Sequence, residues 1–196
     1  MKRIAVLISG SGSNLQALID AIATRTLNAR IALVVSNREG VLGLERARKA
    51  GIATQTLPLE PWLASGRTRA DYDADVAVKV ADAGPDLVVL AGWMHVFSRA
   101  FLDRFPSKVI NLHPALPGKF PGTHAIDRAL EAFKRGEISH TGIMVHHVIP
   151  EIDAGAALGT VSVPILPDDT IESLSTRMHK AEHRLLVEVV QRSVSP

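Results

Sequence analysis

Apolar residues in this chain fall in short continuous runs, separated by stretches where they recur every three or four positions. The first run, Lys2–Ile8, is apolar and β-branched without alternation, the pattern of a strand buried on both faces of a parallel sheet. Residues 14–23 then set Leu15, Leu18, Ile19 and Ile22 at helical spacing. The pattern goes on to predict a strand at 30–36, a helix at 41–50 closed by Gly51, and a short strand at 53–57. A helix at 68–83 puts Tyr72, Val76 and Val80 on one face, and 86–91 (DLVVLA) reads as another buried strand. Ser98 caps a short helix ending near Phe105-Pro106, strand 108–112 follows, and 113–124 is a Pro- and Gly-rich loop. A helix at 125–135, strands at 141–148 and 156–163, and a long helix over about 170–194, capped by Asp168 or Asp169, complete the chain.

Strand and helix alternate as far as about residue 135. That order predicts an α/β fold: a doubly wound, mostly parallel twisted sheet with helices on both faces. Only a few residues join the last two strands, so the C-terminal edge is expected to be antiparallel. With 196 residues and no repeat, low-complexity tract or linker, one domain over 1–196 is expected, its first half (1–100) Rossmann-like.

Composition narrows the function classes. The chain is 46% hydrophobic and 21% charged, enough for a full core and too little charge for a disordered polymer. The net charge is +2 and its basic residues are scattered. Glu45-Arg46-Ala47-Arg48-Lys49 reads as a solvated helix face, and without a basic stripe no nucleic-acid partner is expected. The absence of cysteine excludes disulfides and thiolate metal sites and fits a reducing compartment. The apolar run at 4–8 is too short for a signal peptide, and no stretch approaches the roughly 18 apolar residues of a membrane span. A cytoplasmic protein without membrane contact is expected.

Two places carry chemistry. After the first strand, Ser9-Gly10-Ser11-Gly12-Ser13-Asn14 leads into a helix, at the strand end where open α/β sheets bind ligands. Glycines there let the backbone approach an anion, and the helix N-terminus adds partial positive charge. The third glycine of a dinucleotide fingerprint is missing, the second strand ends in Ser36-Asn37 rather than an acid, and there is no Walker loop. The loop therefore fits a monophosphate better than NAD. Its structural alternative is a tight turn with Ser13 or Asn14 as helix cap.

The second place is Asn111-Leu112-His113-Pro114 at the end of a buried strand, with Asp153 downstream in Glu151-Ile152-Asp153-Ala154-Gly155. Alternation puts Val109 and Asn111 on one face and Ile110 and Leu112 on the other. A His beside an Asn suits acyl transfer: imidazolium and amide N–H stabilise an oxyanion, and a nearby Asp raises the His pKa. The structural alternative makes Asn111 a backbone partner, His113 a surface loop residue and Asp153 a turn residue. The other histidines share no metal-ligand spacing, and His179 and His183 lack the HExxH order, so no metal is expected. The two places together predict an enzyme acting on a phosphorylated small molecule.

These residues carry a family resemblance. Ile8-Ser9-Gly10-Ser11-Gly12-Ser13-Asn14-Leu15-Gln16, Val35-Ser36-Asn37 and Leu90-Ala91-Gly92-Trp93-Met94 resemble the glycinamide ribonucleotide formyltransferases. So do Ile110-Asn111-Leu112-His113-Pro114 with Pro121-Gly122, Thr141-Gly142 with Val145-His146, and Asp153-Ala154-Gly155, in order over almost the whole chain. The resemblance implies transfer of a formyl group from 10-formyltetrahydrofolate, a co-substrate, to the amine of glycinamide ribonucleotide in purine synthesis. It implies Asn111, His113 and Asp153 as the catalytic trio and Gly12, Ser13 and Asn14 as the phosphate cradle. It adds Arg69 near the phosphate and Glu182 on the ribose hydroxyls, two residues that read by position alone as solvated helix charges. It assigns the folate pocket to Trp93, Met94, His95, Val96, Phe97, His146, Val148 and Ile152, making 101–196 the folate-binding and catalytic half. It is compatible with a monomer or a homodimer.

The sequence departs from the family's habit at His95, where Arg is common, at His147, where Phe is common, and in the Ala115-Leu116-Pro117-Gly118 loop. The expected chemistry is direct amine attack, with the oxyanion held by Asn111 and protonated His113, and no covalent nucleophile. A formyltetrahydrofolate deformylase is the nearest rival; its usual N-terminal regulatory domain is not expected here, where the catalytic domain begins at residue 2. A methionyl-tRNA formyltransferase is disfavoured by the lack of a C-terminal tRNA-binding domain. A non-catalytic nucleotide-binding module is the alternative from another class.

Overall fold

In the computed structural model, which describes residues 1–195, β1 (Lys2–Ile8) is an inner strand of one seven-stranded sheet. The other strands are β2 (Ala29–Ser36), β3 (Thr54–Thr56), β4 (Leu87–Leu90), β5 (Val109–His113), β6 (His140–His147) and β7 (Ala157–Pro164). Their order is β3-β2-β1-β4-β5-β6-β7. The pairs from β3 through β5 are parallel, while β6 runs antiparallel to both β5 and β7. The chain steps outward from β1 to β3 and then returns to place β4 on the other side of β1. That reversal opens a crevice at the C-terminal ends of β1 and β4.

Helices α1 (Ser13–Ala23), α2 (Leu42–Lys49), α3 (Leu59–Ala64), α4 (Arg69–Asp82), α5 (Arg99–Leu102), α6 (Ala125–Lys134) and α7 (Ile171–Val194) cover the two faces. Ile4, Val6 and Ile8 bury against Leu15 and Leu18 of α1, Leu44 of α2 and Leu186 and Val190 of α7. Ala5, Leu7, Val88 and Leu90 bury on the opposite face against Tyr72, Val76 and Val80 of α4 and Phe101 of α5. The period-two pleat divides one apolar run between two cores, which is why the strands read as continuous apolar segments. Among the described residues no helix is long and apolar enough to cross a membrane.

The expected α/β sheet with its antiparallel edge is the sheet observed. Helix α3 lies outside the expected elements: it has six residues, buries none of them fully, and carries Pro61 in its first turn, where a missing N–H costs nothing. The short helix after Ser98 stops at Leu102 rather than near Phe105.

The cap of α7 is corrected from Asp168 or Asp169 to Thr170, which forms a reciprocal capping box with Ser173. Asp169 is diverted to Arg177, which donates from Nη1 and Nη2 at 2.7 and 2.8 Å, and to the Leu166 N–H and Ser173 Oγ. The Arg177 hydrogen bonds hold the Asp169 carboxyl well below the usual range. Asp169→Ala should lower the unfolding free energy by roughly 2–3 kcal/mol. A depressed carboxylate stabilises above its unfolded pKa of about 3.9 and loses that contribution as pH falls below it. Urea unfolding of both proteins at pH 7 and pH 3 checks this: the gap should narrow at pH 3, and an unchanged gap would remove the electrostatic explanation.

Candidate active site

The loop after β1 is shaped by its neighbours. Ser9 is buried and its Oγ accepts the Met94 N–H at 2.9 Å, tying the end of β1 to the segment after β4. The Gly10 carbonyl accepts the Gly43 N–H at 3.1 Å. Gly12 is left-handed (φ 68°), and a Cβ there would come within 2.6 Å of Gly43 Cα. Glycine is required at 12 because the loop rests directly on α2. Gly12, and not Ser13 or Asn14, is the N-cap of α1, and no side chain caps it. Helices α4 and α7, by contrast, are closed by capping boxes. The first N–H groups of α1 thus lack side-chain acceptors, at the positive end of the helix dipole.

Asn14 Nδ2 donates to Glu182 Oε2 at 3.0 Å, while Asn14 Oδ1 is buried without a partner. Glu182 is only 5% exposed, and lies in the apolar stripe of α7 that contains Met178 and Leu185. The expectation from position alone, a solvated helix charge, is corrected: a carboxylate sits inside that stripe, facing the loop of β1. Arg69, the first residue of α4, donates through Nε to buried Asp73 (3.1 Å) and through Nη2 to the Val96 carbonyl (2.7 Å). Asp73 also accepts the Ser98 N–H at 2.8 Å, so the guanidinium is fixed in place beside the segment after β4.

At the end of β5, the register pairs Asn111 with His146 across the antiparallel ladder. His113, two residues on, shares the face of Asn111. Gly155 lets the 148–156 segment fold back, since a Cβ there would collide with the His147 carbonyl. The fold-back brings Asp153 to both side chains. Its Oδ2 lies 3.3 Å from His113 Nδ1 and accepts the Gly122 N–H at 2.8 Å. Its Oδ1 accepts from Asn111 Nδ2 at 3.3 Å and lies 3.5 Å from His146 Nε2. Asp153 is left-handed (φ 51°), a conformation Asp tolerates better than most residues. His146 Nδ1 faces the His147 carbonyl at 2.8 Å and donates to it; its Nε2 lies 3.2 Å from Asn111 Nδ2, in reach of both the amide and the Asp153 carboxylate.

Protonation of His113 decides what this cluster can do. The ring is 4% exposed, and burial, the largest influence, pushes its pKa below the ordinary value. The Asp153 carboxylate and the Phe120 carbonyl pull it back up without overcoming burial. Burial thus works against the charge that Asp153 was expected to favour on His113. Nε2 lies 3.0 Å from the Phe120 carbonyl, so both ring nitrogens face oxygens. A neutral ring can donate to only one of them, and gaining a proton would satisfy both. Burial alone would raise the Asp153 carboxyl, but contacts with His146, the Gly122 N–H and His113 hold it below its usual value.

The expected folate residues divide into two groups. Trp93 and Phe97 belong to the core: their rings stack with centroids 5.3 Å apart, and Phe97 stacks in turn on Phe101. Both are buried behind the expected folate surface rather than exposed on it. Met94 and Val96, 57% and 51% exposed, alternate with them, and Ile149 and Ile152 are exposed after β6. Val148 packs at the edge of the core with its N–H on the Val109 carbonyl. His95 lies edge-on to Trp93 and Tyr72, with the Asn37 amide 3.0–3.2 Å from its ring nitrogens. Burial and Arg69 push its pKa down. Among the described residues no group of three or more potential metal ligands converges.

Sequence reasoning misses the link from His146 to Asn111 and Asp153 and the Gly122 N–H on Asp153. Only the β5–β6 register and the loop conformation bring these together.

Residues 2–190 match the family model described as formyl transferase. The chain is 48% identical over 197 aligned positions to a phosphoribosylglycinamide formyltransferase of Dictyostelium discoideum, covering 96% of each. It is 47% identical over 202 positions to the protein of that name from Schizosaccharomyces pombe, covering 98% of this chain and 97% of the relative. A solved structure of glycinamide ribonucleotide transformylase 1 from Geobacillus kaustophilus superposes with a TM-score of 0.91 at 33% identity, covering 100% of both chains.

Proposed function

The chain belongs to the formyl transferase family, and on that premise we propose that it is a phosphoribosylglycinamide formyltransferase of purine biosynthesis. In this reading it moves the formyl group of 10-formyltetrahydrofolate to the amine of glycinamide ribonucleotide. The observation that carries the reading is the contact of His113, Asn111 and His146 with one carboxylate, Asp153, at the end of β5. The α1 terminus without a side-chain cap and the Asn14–Glu182 pair supply a second locus, suited to a phosphate and a ribose diol. Residues 1–100 then hold the phosphate and 101–196 the catalytic trio, while the surface for the formyl donor draws on both halves and Glu182 reaches back to the first. Exposed Met94, Val96 and Ile152 offer uncovered apolar surface for a flat heteroaromatic donor.

The amine lone pair attacks the formyl carbon and the carbonyl electrons move to oxygen. Neutral His113 takes the proton from the attacking nitrogen, directly or through one water, and the resulting imidazolium donates to both Asp153 and the Phe120 carbonyl. The Asn111 contacts at 3.2 and 3.3 Å are at the long end for hydrogen bonds, so one can be exchanged for the developing oxyanion. Collapse breaks the bond to the folate nitrogen, which receives the proton from His113. No bond to the protein forms.

The direct test is turnover of 10-formyltetrahydrofolate with glycinamide ribonucleotide beside a control without amine. Formylated product only with the amine supports the reading; formate release without it favours a deformylase, and binding without turnover a nucleotide-binding module. Glu182→Gln keeps the shape and removes the charge. It should raise the KM for glycinamide ribonucleotide about tenfold or more, the scale of one charged hydrogen bond, with little change for the folate. Equal effects on both substrates would return Glu182 to a packing role.

A further inference from the structure

The loop that closes over His113 has an unusual backbone. Phe120, Gly122 and His124 are all left-handed (φ 44°, 79° and 57°), and two of them carry a Cβ. Their geometry turns the carbonyls of Phe120, Pro121 and Thr123 toward one point, where Arg128 Nη2 lies at 2.8, 2.7 and 2.8 Å. Arg128 is partly buried on α6, and its Nε also approaches the His124 carbonyl at 3.4 Å. Three carbonyl dipoles aimed at one point repel unless a cation sits there. One Nη2 carries two hydrogens for three acceptors, so positive charge, more than a count of hydrogen bonds, holds the arrangement.

The other side of the same loop meets the candidate catalytic pair. The Phe120 carbonyl that Arg128 holds also faces His113 Nε2 at 3.0 Å, and the Gly122 N–H donates to Asp153 Oδ2 at 2.8 Å. We infer that Arg128 is a positioning residue for the formyl transfer: it fixes the 120–124 backbone as a platform that aligns His113 and Asp153. The inference rests on the proposed role of His113. Nothing in the sequence marks Arg128, which reads as one more charge on the helix after a loop.

Two roles for Arg128 differ in sign. His113 is faced by Asp153, by His146, by the Phe120 carbonyl and by Arg128 itself. As a bare charge Arg128 pushes the imidazole pKa down, so removing it would move the acid limb of the pH–rate profile up. As the holder of the loop it keeps the Phe120 carbonyl, which pulls the pKa up more strongly, against Nε2. Losing that contact moves the acid limb down.

The experiment compares wild type, Arg128→Gln, Arg128→Lys and His113→Ala as full chains, with kcat, both KM values, pH–rate profiles and NMR titration of His113. Arg128→Gln should lower kcat about tenfold or more, the scale of a misaligned catalytic group, with both KM values within about threefold. Its acid limb and the His113 titration should move to lower pH. Arg128→Lys restores a cation at the carbonyl cage and should recover most of kcat. Wild-type kcat in Arg128→Gln, or an acid limb that moves up, overturns the inference while an inactive His113→Ala leaves the site reading intact. If Arg128→Gln does not fold, a folded Arg128→Lys with kcat down tenfold overturns it instead. An active His113→Ala would remove the site reading, and the inference with it.

Discussion

His113→Ala should lower turnover by about two orders of magnitude or more, the usual scale for losing a general acid–base group. The ring sits at the convergence of Asp153, the Phe120 carbonyl and the end of β5, where the carboxylate can stabilise the proton the ring takes. His146 is the nearest imidazole, but its Nδ1 is spent on the His147 carbonyl and its Nε2 lies between Asn111 and Asp153. The variant should fold, because the ring lies at the loop-facing end of the strand rather than in either apolar core. Circular dichroism and thermal melting verify folding, and initial rates with both substrates saturating give kcat. A variant within about threefold of wild type changes the barrier by well under 1 kcal/mol and would remove His113 from the chemistry.

The fold was largely legible because parallel strands have to be apolar on both faces. Val6, Leu7 and Ile8 cannot alternate with polar residues when α1 and α4 both cover the sheet, so each inner strand announces itself as a run. The antiparallel edge was legible from the short connection between β6 and β7. Local detail was not: Asp168, Asp169 and Thr170 are all good caps, and the choice among them is made by Arg177, which draws Asp169 away.

The site divides along similar lines. Asn111 and His113 stand out as polar residues ending an apolar run, and Asp153 as a carboxylate beside Gly155. Glu182 carried a signal that spacing could have shown: Leu174, Met178, Leu185 and Val189 form a buried stripe, and 182 lies within it. Trp93 and Phe97 could not be sorted from Met94 and Val96, because side chains that line a pocket and those that fill a core are equally apolar. The pull of Asp153 on His113 was read with the right sign, but a sequence does not show the depth of burial that works against it.

Asp153→Asn isolates that balance. The side chain keeps its shape and one oxygen for the Gly122 N–H, but loses the charge facing His113 at 3.3 Å. Burial already holds the His113 pKa below its ordinary value, and the carboxylate is the strongest influence pulling it up. Its removal must lower the pKa further. A base titrating below neutrality is deprotonated at pH 7 in both proteins, so the variant does not lose the required form of His113. It loses the stability of the imidazolium formed when the amine proton is taken, and kcat should fall about a hundredfold, within the range general acid–base catalysis contributes. The acid limb of kcat/KM should move to lower pH, because a ring of lower pKa needs more acid to protonate it. Folate dissociation constants should change little, since the charge is spent on His113, Asn111 and His146. pH–rate profiles and equilibrium folate binding for the two proteins check each step. An acid limb that stays in place with a near-normal rate would make Asp153 a turn residue and leave the proton transfer without its partner.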